Sequence, residues 1–386
     1  METTEKVKVA AASMLQYAGG CTLGCDPEFF FKKDGKIIGS EKVIPKEGLQ
    51  CDPKFCGYSH RALVLDGVQV ELHTTPGGCR QGQGSYIVTA FKTLKQMLAK
   101  PEFEGIKPCF DGVVTVTRKE LETLSEDAKT LGCLPSLNYY DKRARVGVKN
   151  PSTYRKRSAG GHIHMGLSGD CMKARERLVP ILDVILGNTC VLLDRDPKAA
   201  ERRRHYGRAG EYRLPKYGLE YRVLSNFWLR SYPLMSFVMA VARQATYILG
   251  TTMRYEALTR AADKITYFDA ERELLKRVDI QLVRQAINKN DVDLAWKNWE
   301  GVKDFFQTYV PAGHQGLSIN CLNEFEFFAR RIQEKGMDFW FPEDAMANWT
   351  KANIGYGWES FAHYRIHAQI VAEAVEAKQA ATKAVA

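Results

Sequence analysis

The sequence predicts an α+β fold: a largely antiparallel sheet with flanking helices up to about residue 230, followed by a mostly helical half. Up to about residue 225, short extended runs outnumber helical patterns, and Gly and Pro are frequent. Few strand–helix–strand alternations occur there, which favours an antiparallel sheet over a doubly wound one. Beyond Arg230 helical patterns dominate. We therefore predict two units, residues 1–230 and 231–386, with the second packed on the sheet of the first.

The predicted strands are short, rich in β-branched or aromatic residues and mostly bounded by Gly, Pro or Asp. They cover residues 25–31, 62–72, 112–117, 162–167 and 218–224. Two helices, 83–98 and 172–186, are predicted to pack against them, the second capped by Asp170. In the second half, helical patterns cover residues 232–249, 268–287, 292–309, 320–335, 343–351 and 358–377.

The composition excludes several classes of protein. With 386 residues, 45% hydrophobic and 26% charged, the chain is neither disordered nor fibrous. Its most apolar windows are interrupted by Asp183 and Arg243, which indicates buried helices rather than membrane spans. The charged N-terminus does not resemble an export signal, and the ten Cys are irregularly spaced, so we expect reduced thiols in a cytoplasmic protein with no membrane role.

The net charge of +10 predicts a surface that attracts anions such as nucleotides, nucleic acid or acidic substrates. Much of the excess lies in two runs. The first extends from Tyr139 to Gly160, and the second holds Arg202, Arg203, Arg204, Arg208 and Arg213.

The segment GCDPEFFF, residues 24–31, carries two neighbouring acids. Side chains alternate along a strand, so Asp26 and Glu28 share one face. Two carboxylates this close are unfavourable unless a cation lies between them, which makes the pair a platform for Mg²⁺ or Mn²⁺. Taken alone, the segment fits a strand-end Asp and a solvated Glu equally well.

The segment LVLDGVQVELHTTP, residues 63–76, places Asp66 and Glu71 in an otherwise apolar run. Their odd spacing puts them on opposite faces of a regular strand. A bulge at Gly67 would bring both to one side. Without it, Glu71 is the candidate and Asp66 is a turn residue.

The segment AGGHIHMGL, residues 159–167, predicts a strand with one apolar face, the back, and one face that carries imidazoles, the front. His162 and His164 share the front, while Ile163, Met165 and Leu167 share the back. The other candidates in the chain are carboxylates rather than Cys or further His. Hard oxygen ligands suit Mg²⁺ or Mn²⁺.

The stretch from 205 to 229 is the most informative. Within GLEYRVL, Glu220 and Arg222 lie together on the face opposite Leu219 and Tyr221. A carboxylate beside a guanidinium can hold a metal and neutralise a phosphoryl oxygen, unless the pair is a surface salt bridge. Arg208 and Arg213, in the preceding Gly-rich stretch, are candidate clamps for phosphate or carboxylate.

No phosphate-binding loop, dinucleotide-binding glycine motif or H-E-x-x-H motif is present in the sequence. Any nucleotide must therefore be held mainly through metal ions and Arg.

Five motifs follow one another along the chain: D-P-E at 26–28, D-G-x-x-x-E-x-x-x-x-P at 66–76, G-x-H-x-H-x-G at 160–166, Y-G-x-x-G-x-Y-R at 206–213 and G-x-E-Y-R-x-x-S-N-x-W at 218–228. In this order they resemble the phage-type carboxylate–amine ligases (amidoligases, type 2) of the glutamine synthetase and glutamate–cysteine ligase superfamily. Residues 131–141 also resemble a G-C-x-P-x-x-N stretch of that family. The resemblance covers roughly residues 20–230.

This resemblance implies an antiparallel sheet curved into a half-barrel funnel, with ATP and Mg²⁺ or Mn²⁺ as cofactors. It implies metal ligands at Glu28, Glu71, His162 and Glu220, with Asp26 and Asp66 as additions. Arg222 then steadies the transferring γ-phosphoryl group, Arg208, Arg213 and His162 contact nucleotide or substrate, and either His164 or Asp66 is the general base. The substrates would be a small carboxylate and an amine, and the host cytoplasm is the expected location if a phage encodes the chain.

Two other functions stay open. A metal-dependent hydrolase would use His162 and His164 with the acids, and would need no ATP. A nucleic-acid-binding protein would explain the basic segment but not the buried-looking acids. The identity of the acid and the amine is not predicted, and a homo-oligomer stays open.

Overall fold

The computed structural model describes residues 21–51, 61–78, 80–130, 135–142, 153–261, 269–309, 319–336 and 345–351. The predicted α+β class is confirmed: antiparallel sheets form most of the first half, and helices follow. The predicted helix at 358–377, the N-terminal segment and most of the basic stretch 142–152 lie outside the described residues.

The described part of the first half contains short strands in antiparallel pairs. In chain order they are β1 Thr22–Cys25, β2 Glu28–Lys33, β3 Lys36–Ile38, β4 Leu49–Gln50, β5 Arg61–Asp66, β6 Gln69–Leu72, β7 Ile106–Cys109, β8 Val113–Thr115, β9 Leu137–Asn138, β10 Lys156–Ser158, β11 Ile163–Gly166, β12 Glu211–Arg213 and β13 Gly218–Tyr221.

Two of the sheets meet at a two-residue break between β1 and β2. One has the order β1-β11-β13-β12-β9, and the other has the order β3-β2-β6-β5-β4 with β7 also paired to β2. The backbone N–H of Leu72 donates to the carbonyl of Pro27 at 2.9 Å, and the N–H of Thr74 donates to that of Cys25 at 3.2 Å. The chain after β6 therefore continues beside β1, and the sheets together form a curled half-barrel.

The predicted strand 25–31 is divided at Asp26 and Pro27, because Pro has no N–H to continue the ladder. The predicted strand 62–72 is also two strands, joined by a tight turn. Gly67 has φ +59°, and a Cβ there would lie 2.7 Å from the carbonyl oxygen of Thr130. The predicted bulge at Gly67 is therefore wrong: the residue turns a β-hairpin.

The helices of the described residues are α1 Arg80–Leu98, α2 Arg118–Thr123, α3 Glu126–Lys129, α4 Gly169–Lys173, α5 Leu178–Leu182, α6 Asn188–Leu193, α7 Ala199–His205, α8 Tyr232–Ala261, α9 Ala270–Leu275, α10 Ile280–Lys289, α11 Val292–Tyr309, α12 Ile319–Lys335 and α13 Ala345–Lys351. A π-helical turn, Asp183–Gly187, joins α5 to α6. Short 3₁₀ turns cover Ser40–Lys42, Pro101–Phe103, Arg175–Arg177 and Asn226–Arg230.

Two helix predictions need correction. The predicted helix 172–186 begins later, at Leu178, and Asp170 is not its cap because it lies in the first turn of the separate α4. The predicted helix 268–287 is two helices, α9 and α10, with Asp269 and Asp279 as their N-caps.

The apolar core lies between the sheet and the helices. On the back of β11 and β13, Ile163, Met165, Leu219 and Tyr221 are fully buried, as the alternation predicts. Helix α8 packs against α1 and β11, so it covers this back. Among the described helices, none is both long and apolar enough to cross a membrane. The division at residue 230 into two units stays a prediction.

Candidate active site

Strand register brings four positions into one row across the first sheet. Gly24 pairs with His164, His164 with Glu220, and Glu220 with Arg213. Because residues directly opposite each other in antiparallel strands project to the same face, these side chains share the front of the sheet. The predicted front face therefore carries, in one row, Gly24, which has no side chain, then an imidazole, a carboxylate and a guanidinium.

Asp26 follows β1 and contacts both imidazoles. Its Oδ1 lies 3.1 Å from His162 Nδ1, and its Oδ2 lies 2.9 Å from His164 Nε2. Burial acts to raise the pKa of Asp26, but His164 and His162 outweigh it and hold that pKa well below its ordinary value. Burial opposes protonation of His164, yet Asp26 and Glu220 raise its pKa. Asp26 is therefore an ionised carboxylate.

Three nitrogens converge on Glu220, which is 4% exposed. Its Oε1 lies 3.3 Å from Arg222 Nε, 3.7 Å from His162 Nδ1 and 3.7 Å from Arg213 Nη1. These contacts are longer than normal hydrogen bonds. Arg222 is fully buried. Its contact with Glu220 puts both side chains on one face, as predicted.

Asp26, His164 and Glu220 each offer a ligand atom within 4.8 Å of the others. Among the described residues, Asp26 Oδ1, His164 Nε2 and Glu220 Oε1 are buried and make no hydrogen bond of normal geometry. Buried polar atoms are rarely left in this state. Two carboxylate oxygens and an imidazole nitrogen form a donor set that fits a divalent cation. We call these three residues the first ligand group.

Glu28, Asp66 and Glu71 also offer ligand atoms within 4.8 Å of one another, and we call them the second ligand group. Glu28 pairs with Glu71, and Glu71 pairs with Val64, two residues before Asp66. The hairpin therefore brings all three acids to one face. Glu28 Oε2 accepts hydrogen bonds from Gln69 Nε2 at 2.5 Å and the Gly160 N–H at 2.7 Å.

At Glu28 and Asp66 of the second ligand group, burial and repulsion between the acids outweigh the attraction of nearby positive charge. Burial, followed by Asp66 and Glu71, raises the pKa of Glu28 well above its ordinary value. Burial, Glu71 and Asp26 raise the pKa of Asp66 to about 6, although Arg222 and Arg213 oppose the shift. Because Asp26 acts on both acids, the two groups adjoin. A divalent cation would remove the repulsion.

We expect the protein without metal to lose stability as pH rises from about 4 to beyond 6. Glu28 and Asp66 have higher pKa values folded than unfolded, so in this interval the unfolded state releases its protons first and is favoured. Mg²⁺ should flatten the decline. Urea unfolding in EDTA and in MgCl₂ checks this, and equal slopes in both would contradict it. Asp183, whose pKa burial raises to about 7, contributes equally with and without metal.

The remaining predicted residues differ in burial and in whether they reach the ligand groups. His162 is buried, with Nδ1 facing Asp26 and Nε2 2.5 Å from the hydroxyl of Tyr206. Arg213 reaches Glu220 from β12. Arg208 is exposed, outside the two ligand groups. Of the second basic run, Arg202 and Arg203 are buried rather than on the surface and donate to backbone carbonyls of Ala159, Gly207, Val223 and Leu224.

Four residues for which the sequence patterns predict no role also lie at the site. They are Gln69, His73, Tyr206 and Tyr217. His73 Nε2 contacts Glu71 Oε1, and Tyr217 contacts His164 Nδ1 through its hydroxyl while its ring stacks on the imidazole at 5.9 Å. His73 follows Glu71 at i+2, a spacing that would have placed it on the same face. Tyr217 sits directly before β13 and carries no such signal.

A cavity of about 310 Å³ opens beside the first ligand group. Asp26, His73, His164 and Tyr217 form its polar wall, and Gly24 and Gly166 leave its floor without side chains. Tyr217 is 47% exposed, so its ring is accessible to a ligand. The site thus joins two groups of candidate metal ligands, a buried guanidinium and a cavity.

The match to a family model agrees with the motifs that lie after residue 143. Residues 143–308 match the family model described as phage phiEco32-like COOH.NH2 ligase-type 2. No curated protein matches the sequence. One solved structure, described as a novel glutamine synthase homolog, aligns over 84% of this chain and 74% of its own at 12% identity, with a TM-score of 0.29. Residues 143–308 are therefore similar to the phage phiEco32-like COOH.NH2 ligases of type 2, the family that the ordered motifs indicate.

Proposed function

We propose that the protein is an ATP-dependent carboxylate–amine ligase that forms an amide through an acyl phosphate and releases ADP and phosphate. The adjoining ligand groups beside the buried Arg222 carry the proposal. Phosphoryl transfer needs positive charge around the γ-phosphoryl oxygens more than it needs covalent help from the protein. Two acidic groups that require cations, next to a guanidinium, meet that need.

One cation would be held by Asp26, His164 and Glu220, and a second by Glu28, Asp66 and Glu71. His162, a ligand by the family resemblance, would instead orient Asp26. Bound Mg²⁺ or Mn²⁺ supplies charge neutralisation and orientation of the ATP phosphates. The nucleotide would enter the cavity beside His164 and Tyr217.

The reaction has two steps. A substrate carboxylate oxygen attacks the γ-phosphorus of ATP, the bond to the β-phosphate oxygen breaks, and ADP leaves. The amine nitrogen then attacks the acyl carbon, and phosphate leaves with the electrons of the carbon–oxygen bond. Arg222 and Arg213 would stabilise charge on the phosphoryl group, while Arg208, which is exposed, would contact substrate at the rim. The amine proton would pass to a base, either His164 or Asp66, whichever is not occupied by a cation at that step.

We expect Mg²⁺ and ATP together to raise the melting temperature by several degrees. A ligand at about 100 times its Kd stabilises the folded state by roughly 2.7 kcal/mol. Differential scanning fluorimetry with ATP, Mg²⁺, both and neither is the measurement. Incubation with pools of acids and amines should then release ADP and yield a product lighter by one water than the two substrates combined.

The same experiment separates the other functions. A hydrolase would turn over substrate without ATP and form no ADP. A nucleic-acid-binding protein would show DNA or RNA affinity that falls steeply with salt, and no shift with Mg²⁺ and ATP. The absence of any shift in all metal conditions would contradict the ligase proposal.

A further inference from the structure

We propose that Tyr206 is a positioning residue that locks Arg222 and His162 to each other and holds His162 as the tautomer protonated on Nδ1. The inference deepens the proposed ligase function and rests on it for its kinetic consequence. Its structural part concerns the protein's own hydrogen bonds, which are measurable without turnover.

One hydroxyl group touches both side chains. The oxygen of Tyr206 lies 3.0 Å from Arg222 Nε and also receives Arg222 Nη2, while His162 Nε2 lies 2.5 Å away on the other side. Arg222 is 0% and His162 2% exposed, while Tyr206 is half-buried, so both partners of the hydroxyl are shielded from water. The ring of Tyr206 stands edge-on to His162, with centroids 5.7 Å apart.

The direction of each hydrogen bond follows from counting. A phenol oxygen has two lone pairs and one hydrogen, and a guanidinium can only donate. Arg222 supplies two N–H donors, so it takes the lone pairs and the hydroxyl hydrogen points to His162 Nε2. Nε2 must then accept, and the ring proton of a neutral imidazole must lie on Nδ1.

This tautomer assigns a role to His162. Its Nδ1–H lies 3.1 Å from Asp26 Oδ1, outside normal hydrogen-bond geometry, so the polar N–H attracts the carboxylate and favours its orientation while Oδ1 stays available to a cation. With a proton on Nδ1 and an occupied Nε2, His162 has no lone pair for a metal. His164, whose Nε2 faces Asp26 Oδ2, supplies the imidazole ligand of the first group.

Tyr206 is itself held rigidly. It follows α7 directly, and the Arg202 guanidinium lies against its ring, 5.1 Å from the centroid, with Arg222 at 5.2 Å. Arg202 donates to the carbonyls of Ala159, Val223 and Leu224 at 2.8–3.1 Å. The next residue, Gly207, has φ +75°, which lets the chain turn away at once. These contacts restrict the position of the hydroxyl.

The first experiment observes the tautomer in the wild-type protein. Long-range ¹H–¹⁵N spectra of ¹⁵N-histidine-labelled protein at neutral pH, without metal, distinguish the two tautomers and the imidazolium. The His162 signal is assigned from its loss in His162→Gln. We expect Nδ1–H in the wild type. Nε2–H or a doubly protonated ring would overturn the proposal, whatever the enzyme does.

The second experiment compares Tyr206→Phe with Tyr212→Phe. The control removes the hydroxyl of Tyr212, which neighbours Glu176 and lies on the face of β12 opposite Arg213 and the ligand groups. Groups that orient a metal site typically cost 10–100-fold when removed, so we expect Tyr206→Phe to lower kcat by about that factor with the KM for ATP within about threefold. The control should stay within about twofold of the wild type in kcat. The His162 spectrum should lose its single tautomer only in Tyr206→Phe.

The results distinguish failure of the proposed ligase function from failure of the positioning role of Tyr206. An Nδ1–H signal in wild-type protein that shows no ATP-dependent ligation would contradict the ligase function and leave the hydrogen-bond assignment standing. An active enzyme whose kcat and His162 spectrum are unchanged in Tyr206→Phe would overturn the positioning role. Should Tyr206→Phe not fold, the wild-type spectrum alone decides the tautomer.

Discussion

Replacement of Glu220 with glutamine is expected to reduce ligation by at least about 1,000-fold and to remove the Mg²⁺-dependent stabilisation by ATP. Glu220 is the point at which the buried charges meet. Arg222, Arg213 and His162 all place a nitrogen within 3.7 Å of its Oε1. A neutral amide offers a weaker metal ligand and no charge to balance the two arginines.

The fold should survive this change. Glutamine has nearly the volume of glutamate, and the partner strands of β13 bond through the backbone. The cost is electrostatic, because Arg222 remains buried beside an amide in place of its carboxylate. We therefore expect a lower melting temperature with an unchanged circular dichroism spectrum.

Asp183→Asn is the matched control. Asp183 is a fully buried carboxylate on the π-helical turn, where its Oδ1 accepts from the hydroxyl of Tyr221 at 2.7 Å, away from the ligand groups. An asparagine oxygen keeps this bond, so activity should stay within about threefold of the wild type. Initial rates of ADP release and fluorimetry with Mg²⁺ and ATP are measured on both variants. Near-normal turnover in Glu220→Gln would remove Glu220 from the site.

Local periodicity could predict which face of each strand is functional. His164 and Glu220 were placed on front faces from alternation alone, and the structure pairs them directly. Such a prediction succeeds because side-chain direction in a strand depends only on the residue's position. It does not give strand order, which brought Gly24 and Arg213 into the same row.

The acids show where periodicity is insufficient. Alternation grouped Asp26 with Glu28, but the chain breaks at Pro27, and the two residues join different ligand groups. Asp66 and Glu71 do share a face, although through a hairpin turn at Gly67 rather than a bulge. A D-G pair flanked by apolar residues is also a hairpin signal. The choice between turn and bulge decides the register.

Contacts between distant segments leave no local pattern. Tyr206 and His162 are 44 residues apart, and no spacing rule joins a residue after a helix to one before a strand. The basic run after residue 201 shows the same limit. Charge alone predicts that this run lies on a surface that attracts anions, but Arg202 and Arg203 bond backbone carbonyls in the interior, whereas Arg208 is exposed. Which arginine turns inward depends on packing.

Replacement of Glu28 with glutamine is expected to abolish ligation and yet to stabilise the metal-free protein. Glu28 is buried and faces two half-buried acids, so at neutral pH the fold bears the cost of repulsion or of holding a proton. An amide removes one of these charges. We expect the free energy of unfolding in EDTA to rise by about 1 kcal/mol at pH 8.

The geometry suits the substitution. Gln69 Nε2 and the Gly160 N–H both donate to the same oxygen, Glu28 Oε2. A glutamine would place its carbonyl oxygen there and turn its amide N–H₂ toward Asp66 and Glu71, where two carboxylates accept hydrogen bonds. The same amide hydrogens would occupy the space that a cation needs. Stability without metal and function should therefore change in opposite directions.

Urea unfolding of the wild type and Glu28→Gln, each in EDTA and in MgCl₂ at pH 8, separates the two effects. The wild type should gain stability from Mg²⁺, whereas the variant should begin more stable and gain little. Gln69→Leu serves as the comparison, because it removes one donor to Glu28 but retains all three acids, and so should lose stability in EDTA. If Glu28→Gln is destabilised without metal, or binds Mg²⁺ as the wild type does, the second ligand group is a hydrogen-bonded structural cluster and the ligase must work with the first group alone.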